Sequence, residues 1–211
     1  MKIDYTKLLN NKKYYNKYKD KVDWEEISFF QELTEEFIKE FQDKLNWSYI
    51  SSNQELSEEF IIEFQDKINW YYISKCQKLS ENFIRKYQNE VDWENITIYQ
   101  ELSEDFIREF CNEIDWIYIS LYHKLSENFI REFKNKVDWG WISNNQELSN
   151  KFLIEFKNKV NWTSLLEKFN YIVIFEKNKY CIKSKNYCSN WLSLFKFKKL
   201  ALRLVSLKVF Q

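Results

Sequence analysis

Residues 56–74 read LSEEFIIEFQDKINWYYIS, and residues 79–97 read LSENFIRKYQNEVDWENIT. A third version, LSEDFIREFCNEIDWIYIS, spans residues 102–120. Each stretch begins 23 residues after the one before it. Self-similarity at a fixed period of this length indicates a repeat architecture, in which each repeat is one supersecondary unit. The repeat therefore outweighs the length of 211 residues as a guide to domain organisation.

Seven tryptophans mark the period along the chain. When each tryptophan is counted as position 0, an aliphatic residue follows at position +3. In the first six repeats leucine follows at +9, and phenylalanine or tyrosine follows at +13 and +17. This spacing predicts that the tryptophans lie in a core shared between repeats. They are Trp24, Trp47, Trp70, Trp93, Trp116, Trp139 and Trp162.

Two amphipathic helices are predicted in each repeat. Positions +13, +14, +17 and +21 form one face of a longer helix, and positions 0, +3 and +7 form a shorter stripe. Serine or threonine at +10, and aspartate or asparagine just before each tryptophan, are suited to cap the two helices. On the longer helix, glutamate at +16 and lysine at +20 are spaced for ion pairs one turn apart. The predicted pairs are Glu40–Lys44, Glu63–Lys67, Glu132–Lys136 and Glu155–Lys159.

A single 23-residue unit buries too little apolar surface to offset the conformational entropy that it loses on folding. Neighbouring units must therefore share a continuous core, which is the principle of a solenoid. We expect an all-α solenoid of short helix-turn-helix repeats, with about seven units and atypical capping ends. Residues 24–169 form the array and residues 1–23 a degenerate half-repeat. Residues 170–211 form a divergent basic segment, which we interpret as a capping unit.

The C-terminal segment has a charge opposite to that of the rest of the chain. Nine Lys and Arg and no Asp or Glu follow Glu176, whereas the whole chain has a formal net charge of zero. Trp191 restores the tryptophan signature and indicates a degenerate last repeat; a tail outside the array is the alternative. The segment could cover the last core, form a homodimer with a second copy, or lie on an anionic membrane. We favour the cap or the dimer, because many leucines can be buried in protein without lipid.

The sequence shows no catalytic, cofactor or metal site. The one histidine, His123, occupies position +7, where five other repeats have glutamine, so we expect it to satisfy backbone groups between helices. Cys181 and Cys188 are spaced too widely for a usual zinc motif, and Cys76 and Cys111 fall at different repeat positions. One glycine and no proline argue against a phosphate-binding loop. We predict no enzyme activity, and the zero net charge gives no reason to expect nucleic-acid binding.

Positions +2 and +6 lie one turn apart on the shorter helix, away from the tryptophan stripe, and they vary between repeats. Several of them are aromatic, which is typical of protein-recognition surfaces. A ladder of rings that stabilises neighbouring repeats is the alternative. The candidate protein-binding row consists of Phe30, Tyr49, Tyr72, Tyr99, Tyr118, Tyr122 and Trp141.

The unit Asn/Asp-Trp-x-x-Ile-Ser-x-x-Gln-x-Leu-Ser-Glu-x-Phe-Ile-x-Glu-Phe, which covers roughly residues 14–169, resembles the tryptophan-marked repeats in expanded gene families of mimivirus-like giant DNA viruses. The resemblance implies a viral protein in the cytoplasm of an infected cell and no catalytic residues. The N-terminal residues also lack the apolar run of a signal peptide. We therefore expect a non-enzymatic scaffold that binds an unidentified protein partner. The alternative is a self-assembling structural protein whose basic C-terminal helix dimerises or contacts membrane.

Overall fold

The computed structural model describes residue 8 and residues 12–168, 171–176 and 179–184. The chain divides into two compact units, Met1–Ile114 (unit 1) and Asp115–Gln211 (unit 2), which are described separately. Numbering the repeats by their tryptophans, unit 1 contains repeats 1 to 4, and unit 2 contains the tryptophans of repeats 5 to 7.

Each repeat begins with a seven-residue helix at its tryptophan, here called the first helix. In unit 1 the first helices are Trp24–Phe30, Trp47–Asn53, Trp70–Cys76 and Trp93–Tyr99. In unit 2 they are Trp116–Tyr122, Trp139–Asn145 and Trp162–Lys168. The predicted solenoid of short helical repeats is confirmed for residues 24–168.

A six-residue second helix follows in the first six repeats. In unit 1 the second helices are Glu35–Glu40, Glu58–Glu63, Glu81–Lys86 and Glu104–Glu109. In unit 2 they are Glu127–Glu132 and Asn150–Glu155. The second helix ends at +16, so the prediction of a longer helix reaching +21 was wrong. Positions +17 to +20 instead form turns, because the chain must reverse direction before the next tryptophan.

Both predicted types of helix cap are confirmed. Ser80 Oγ accepts a hydrogen bond from the backbone N–H of Phe83 at 3.1 Å, which satisfies one of the free donors at the start of a second helix. Asp23 Oδ1 accepts from Glu25 N at 3.1 Å and Glu26 N at 3.0 Å at the start of a first helix. These local bonds recur at equivalent positions along the array and define where each helix begins.

The core is built from aliphatic residues at +3 and +14 and from phenylalanine at +13. Their side chains are almost completely removed from solvent in the middle repeats. The largest fully buried side chains include Phe60, Phe106, Phe129, Phe152, Ile50, Ile61, Ile73 and Ile84. Burial of this apolar surface is the main driving force for stacking one repeat on the next.

The tryptophans lie at the edge of this core, which corrects the expectation that they are fully packed. Trp162 is buried, but the other six indoles are only half-buried. The ring of Trp47 lies 5.2 Å from that of Phe64 and 6.3 Å from that of Phe60, both in its own repeat. Its Nε1 donates to the carbonyl of Gln42 at 2.9 Å. An indole needs a partner for its N–H, and the turn carbonyl that supplies one lies near the surface.

The N-terminal residues contact repeat 1. A helix at Lys12–Tyr18 is followed by a 3₁₀ turn at Lys19–Lys21. The ring of Tyr15 lies 5.0 Å from that of Phe41 in repeat 1. A degenerate half-repeat at residues 1–23 stays a prediction.

A β-hairpin follows the last described helix in unit 2. Strand β1 (Tyr171–Glu176) pairs antiparallel with strand β2 (Lys179–Ser184), from Tyr171 opposite Ser184 to Glu176 opposite Lys179. Strand β1 lies beside the helix Trp162–Lys168. We did not predict strands in the segment 170–211, although a run of Ile and Val favours them.

The other predictions for the C-terminal segment concern residues 191–211 and Cys188, which lie outside the described residues. Among the helices that the structure describes, none is both long and apolar enough to cross a lipid bilayer.

Candidate protein-binding face

The outward face of the first helices follows from helical periodicity. Positions +3 and +4 are buried in repeats 1 to 6 and position +7 is buried or half-buried, so positions +1, +2, +5 and +6 lie on the opposite side of the same helix. Within each unit, consecutive first helices pack side by side. The outward positions of neighbouring repeats therefore lie next to one another within a unit.

Buried glutamines at +7 fix the register of neighbouring first helices. Gln54 Oε1 accepts from the backbone N–H of Leu33 at 2.8 Å, and its Nε2 donates to the carbonyl of Gln31 at 2.8 Å. Both partners belong to the preceding repeat. The same two bonds are made by Gln77, Gln100 and Gln146, and we call this set the glutamine ladder. The prediction that position +7 satisfies backbone groups between helices is confirmed for the glutamines.

A buried hydroxyl at +4 makes a second connection between repeats. Ser51 Oγ donates to the carbonyl of Trp47 at 2.6 Å and accepts from the backbone N–H of Asn69 at 2.9 Å. Asn69 caps the next first helix, so one serine links two helices. This role was not predicted, although a hydroxyl recurs at +4 in repeats 1 to 6.

The second helices are joined by ion pairs between repeats. Arg85 Nε donates to Glu109 Oε2 at 2.7 Å, and the guanidinium lies 5.0 Å from the ring centroid of Phe106. Glu109 and Phe106 both belong to the next repeat. Equivalent pairs are Lys39–Glu63 at 2.6 Å and Arg131–Glu155 at 2.9 Å.

These contacts correct two of the predicted ion pairs, because Glu63 and Glu155 bind cations of the preceding repeat instead of Lys67 and Lys159. The lysines lie in the turn beyond the end of the helix, where spacing by one helical turn no longer applies. Lys67 pairs with Asp43 at 3.0 Å, and its Nζ lies 5.8 Å from the ring centroid of Trp47. The lysine at +20 therefore covers the exposed side of the tryptophan.

The resolved pKa shifts arise from contacts between or within repeats. The hydrogen bond to Glu109 raises the pKa of Arg85. Burial raises the pKa of Glu127, but hydrogen bonds from Ser149 and Arg131 outweigh it and hold that pKa below its ordinary value. Each shift therefore has a structural explanation.

The predicted row divides by exposure. Four of its side chains are exposed, namely Phe30 (70%), Tyr122 (56%), Tyr99 (51%) and Trp141 (38%). Tyr49, Tyr72 and Tyr118 are half-buried. The structure thus places all seven on first helices, with those at +6 more exposed than the tyrosines at +2.

Three exposed apolar residues on these helices were not in the prediction. They are Phe29, Tyr71 and Ile117, at positions +5 and +1. They could have been found from the helical spacing, since +1 and +5 flank +2 and +6 on the same helix. In unit 1 we define the first-helix face as Phe29, Phe30, Tyr49, Tyr71, Tyr72 and Tyr99.

Ring contacts on this face are mostly within one repeat. In the described part of unit 1 they are Phe29–Phe30 at 4.5 Å, Phe29–Tyr49 at 4.9 Å and Tyr71–Tyr72 at 5.2 Å. The Phe29–Tyr49 contact alone joins two repeats in this part of the chain. The described rings of this face therefore do not form a continuous stack, which argues against the alternative of a stabilising ladder.

A groove opens beside Tyr99, between the ends of two first helices. It has a volume of about 580 Å³ and is lined in part by Lys75, Cys76, Lys78, Tyr99 and Glu101. The ammonium of Lys75 lies 6.0 Å from the ring centroid of Tyr71 and 5.4 Å from that of Tyr99. Two rings of the face thus already accept a cation from the chain itself.

The residue at +6 explains why the groove opens there. Asn53 Nδ2 donates to the carbonyl of Phe29 at 3.0 Å and thereby joins the ends of the first helices in repeats 1 and 2. Asn145 makes the same contact to Leu121 at 2.8 Å. Cys76 and Tyr99 carry no side-chain amide and cannot donate this hydrogen bond, so the groove lies at this point.

The described histidine and cysteines show no arrangement of a catalytic or metal-binding site. His123 is half-buried, and its backbone carbonyl accepts from Gln146 Nε2 at 2.7 Å. Cys76 is exposed and Cys111 half-buried, both as free thiols. Among the residues that the structure describes, no group of three or more His, Cys, Asp and Glu could hold a metal ion. A structural role for His123 stays a prediction.

The fold and the face together define a helical-repeat protein that has an aromatic outward face on its first helices and a β-hairpin after its last described helix. Comparison with protein-family models, curated proteins and solved structures found no match to this chain.

Proposed function

We propose that this protein is a non-enzymatic repeat scaffold that binds another protein through its first-helix face. The observation that carries the proposal is the exposure of large rings on a regular array whose core positions are fully buried. Exposed apolar surface that extends over several residues is typical of interaction sites. Aromatic residues are also enriched at protein interfaces relative to the rest of the surface.

Variation between repeats supports the same proposal. Positions that hold the array together, such as +3 and +7, keep nearly the same residue in each repeat, whereas +6 changes from Phe30 to Asn53, Cys76 and Tyr99. A surface that served only to stack repeats would need the same residue each time. Different residues at equivalent positions suit an extended partner with a different side chain opposite each repeat.

The resemblance to giant-virus repeats extends the proposal to the setting in which the protein acts. On that basis the scaffold is a viral protein, and its partner is present in the cytoplasm of an infected cell.

Removing the three most exposed rings of the first-helix face, each from a different repeat of unit 1, tests the binding face. We expect the triple variant Phe30→Ala, Tyr71→Ala and Tyr99→Ala to keep its helical circular dichroism spectrum. It should lose more than about tenfold in affinity for its partner, since central aromatic residues at interfaces each contribute on the order of 1–2 kcal/mol or more. The measurement is quantitative capture by the immobilised full chain from extracts of infected cells, with mass spectrometry of the bound proteins.

The matched control changes three exposed polar residues in the turns that follow the second helices, Gln65→Ala, Gln88→Ala and Asn89→Ala. It should capture the same proteins as the wild type. The proposal is overturned if the aromatic variant and the control retain the same set of bound proteins.

A further inference from the structure

The first-helix face of unit 1 combines aromatic rings with an acidic edge. Position +8 follows each first helix and holds Glu32, Glu55 and Glu101 in repeats 1, 2 and 4. All three side chains are exposed, and Glu101 lines the groove beside Tyr99. In repeat 3 the same position is Lys78. The edge is therefore predominantly negative.

The face already shows how it can hold a cation. Lys75 places its ammonium within 6.0 Å of the ring centroids of both Tyr71 and Tyr99. An aromatic face attracts an ammonium or guanidinium group, and nearby carboxylates add to the attraction. A ligand that offers both apolar and basic side chains fits this surface better than a neutral or acidic one.

The chain itself contains a segment with this chemistry. Residues 191–211 include five Lys and Arg, no Asp or Glu, and a majority of apolar residues. Its cations are Lys196, Lys198, Lys199, Arg203 and Lys208. Apolar and charged groups of this segment therefore complement the rings and the carboxylates of the first-helix face.

From this complementarity we infer that the first-helix face of unit 1 binds residues 191–211 of a second copy of the chain. Each chain carries one segment and one face. Reciprocal exchange therefore closes a symmetric dimer in which both faces are covered. The inference rests on the binding face proposed above and names its partner.

A charge-exchange experiment with purified full-length chains tests the inference. The face variant carries Glu32→Lys, Glu55→Lys and Glu101→Lys, and the segment variant carries Lys196→Glu, Lys198→Glu and Lys199→Glu. Sedimentation equilibrium should show the wild type as a dimer and each variant alone as a monomer at the same concentration. An equimolar mixture of the two variants should regain the doubled mass, because the reversed charges then match.

The control reverses three exposed carboxylates at or just after the ends of second helices in unit 1, Glu40→Lys, Asp66→Lys and Glu90→Lys. It should remain a dimer, and circular dichroism should show that all variants are folded. A monomeric wild type, a face variant that keeps the doubled mass, or a mixture that stays monomeric would overturn the inference. These results use no cell extract, so they are distinguishable from failure of the partner-capture experiment. If the wild type is a monomer and the aromatic variant loses its captured proteins, the binding face stands and a second copy is rejected as its partner.

Discussion

Replacing Phe106 with alanine should lower the free energy of unfolding by about 3–5 kcal/mol. Phe106 is fully buried, its ring lies 6.3 Å from that of Trp93 and 4.6 Å from that of Phe110, and Arg85 covers it from the preceding repeat. Truncation removes contacts to two repeats and leaves a cavity that short, connected helices cannot collapse to fill. Urea denaturation of the full chain, followed by circular dichroism, measures the change.

Truncating an exposed ring and a half-buried ring shows whether the loss of stability depends on burial. Phe30→Ala removes the same group from a side chain that is 70% exposed, so its effect should stay within about 0.5 kcal/mol. The loss for Trp93→Ala should fall between the two, because the indole is half-buried but its ring centroid lies only 4.9 Å from that of Phe110. If Phe106→Ala unfolded like Phe30→Ala, phenylalanine at +13 would not form the centre of the core.

Replacing Gln77 with leucine should cost about 3 kcal/mol, because three backbone groups lose their partner together. Gln77 Oε1 accepts from Leu56 N at 3.0 Å, and its Nε2 donates to the carbonyls of Gln54 at 2.7 Å and Ser51 at 3.0 Å. Leucine has a similar volume but no polar atoms, so the loss comes from buried groups left without a hydrogen bond. Thermal and urea denaturation would measure it.

Two other substitutions calibrate this effect. Gln88→Leu alters an exposed glutamine in the turn of the same repeat and should change stability by less than about 0.5 kcal/mol. Gln77→His copies the residue that repeat 5 uses at +7 and should be tolerated better than leucine. Equal losses for Gln77→Leu and Gln88→Leu would show that the glutamine ladder contributes little.

Local features of the fold could be predicted from the sequence because their partners are close along the chain. The Ser80 cap bonds to a residue three positions away, and the Asp23 cap to residues two and three positions away. The role of glutamine at +7 could also be inferred, since a buried polar group must find a partner. Its specific partners in the preceding repeat could not.

Contacts between repeats could not be predicted from the periodic pattern. A repeat tells which residues are equivalent, but it does not tell which of them meet in the next layer. Glu63 was therefore assigned to Lys67 in its own repeat, whereas the structure pairs it with Lys39. The bridging hydroxyl of Ser51 was missed for the same reason. The hairpin at 171–184 lies outside the 23-residue period, so the periodic pattern does not indicate it.

The candidate face could be predicted in position but not in extent. Periodicity placed Phe30 and Tyr99 on the outward side of the first helices, where the structure has them. The degree to which Tyr72 is covered depends on its neighbours in space, including the ring of Tyr71 at 5.2 Å. The contact of the Lys75 ammonium with the rings of Tyr71 and Tyr99 involves side chains from two repeats, so no pattern within one repeat indicates it.

The register between neighbouring repeats underlies both the fold and the face, and hydrogen exchange at the amide of Leu79 tests it most directly. This amide lies between two helices and donates to Gln100 Oε1 of the next repeat at 3.0 Å. It should exchange as slowly as the helical amide of Ile84, whereas Lys78, one residue earlier, should exchange rapidly. In Gln100→Leu the protection of Leu79 should disappear. If Leu79 exchanges as rapidly as Lys78 in the wild-type protein, the repeats are not joined in the register described here.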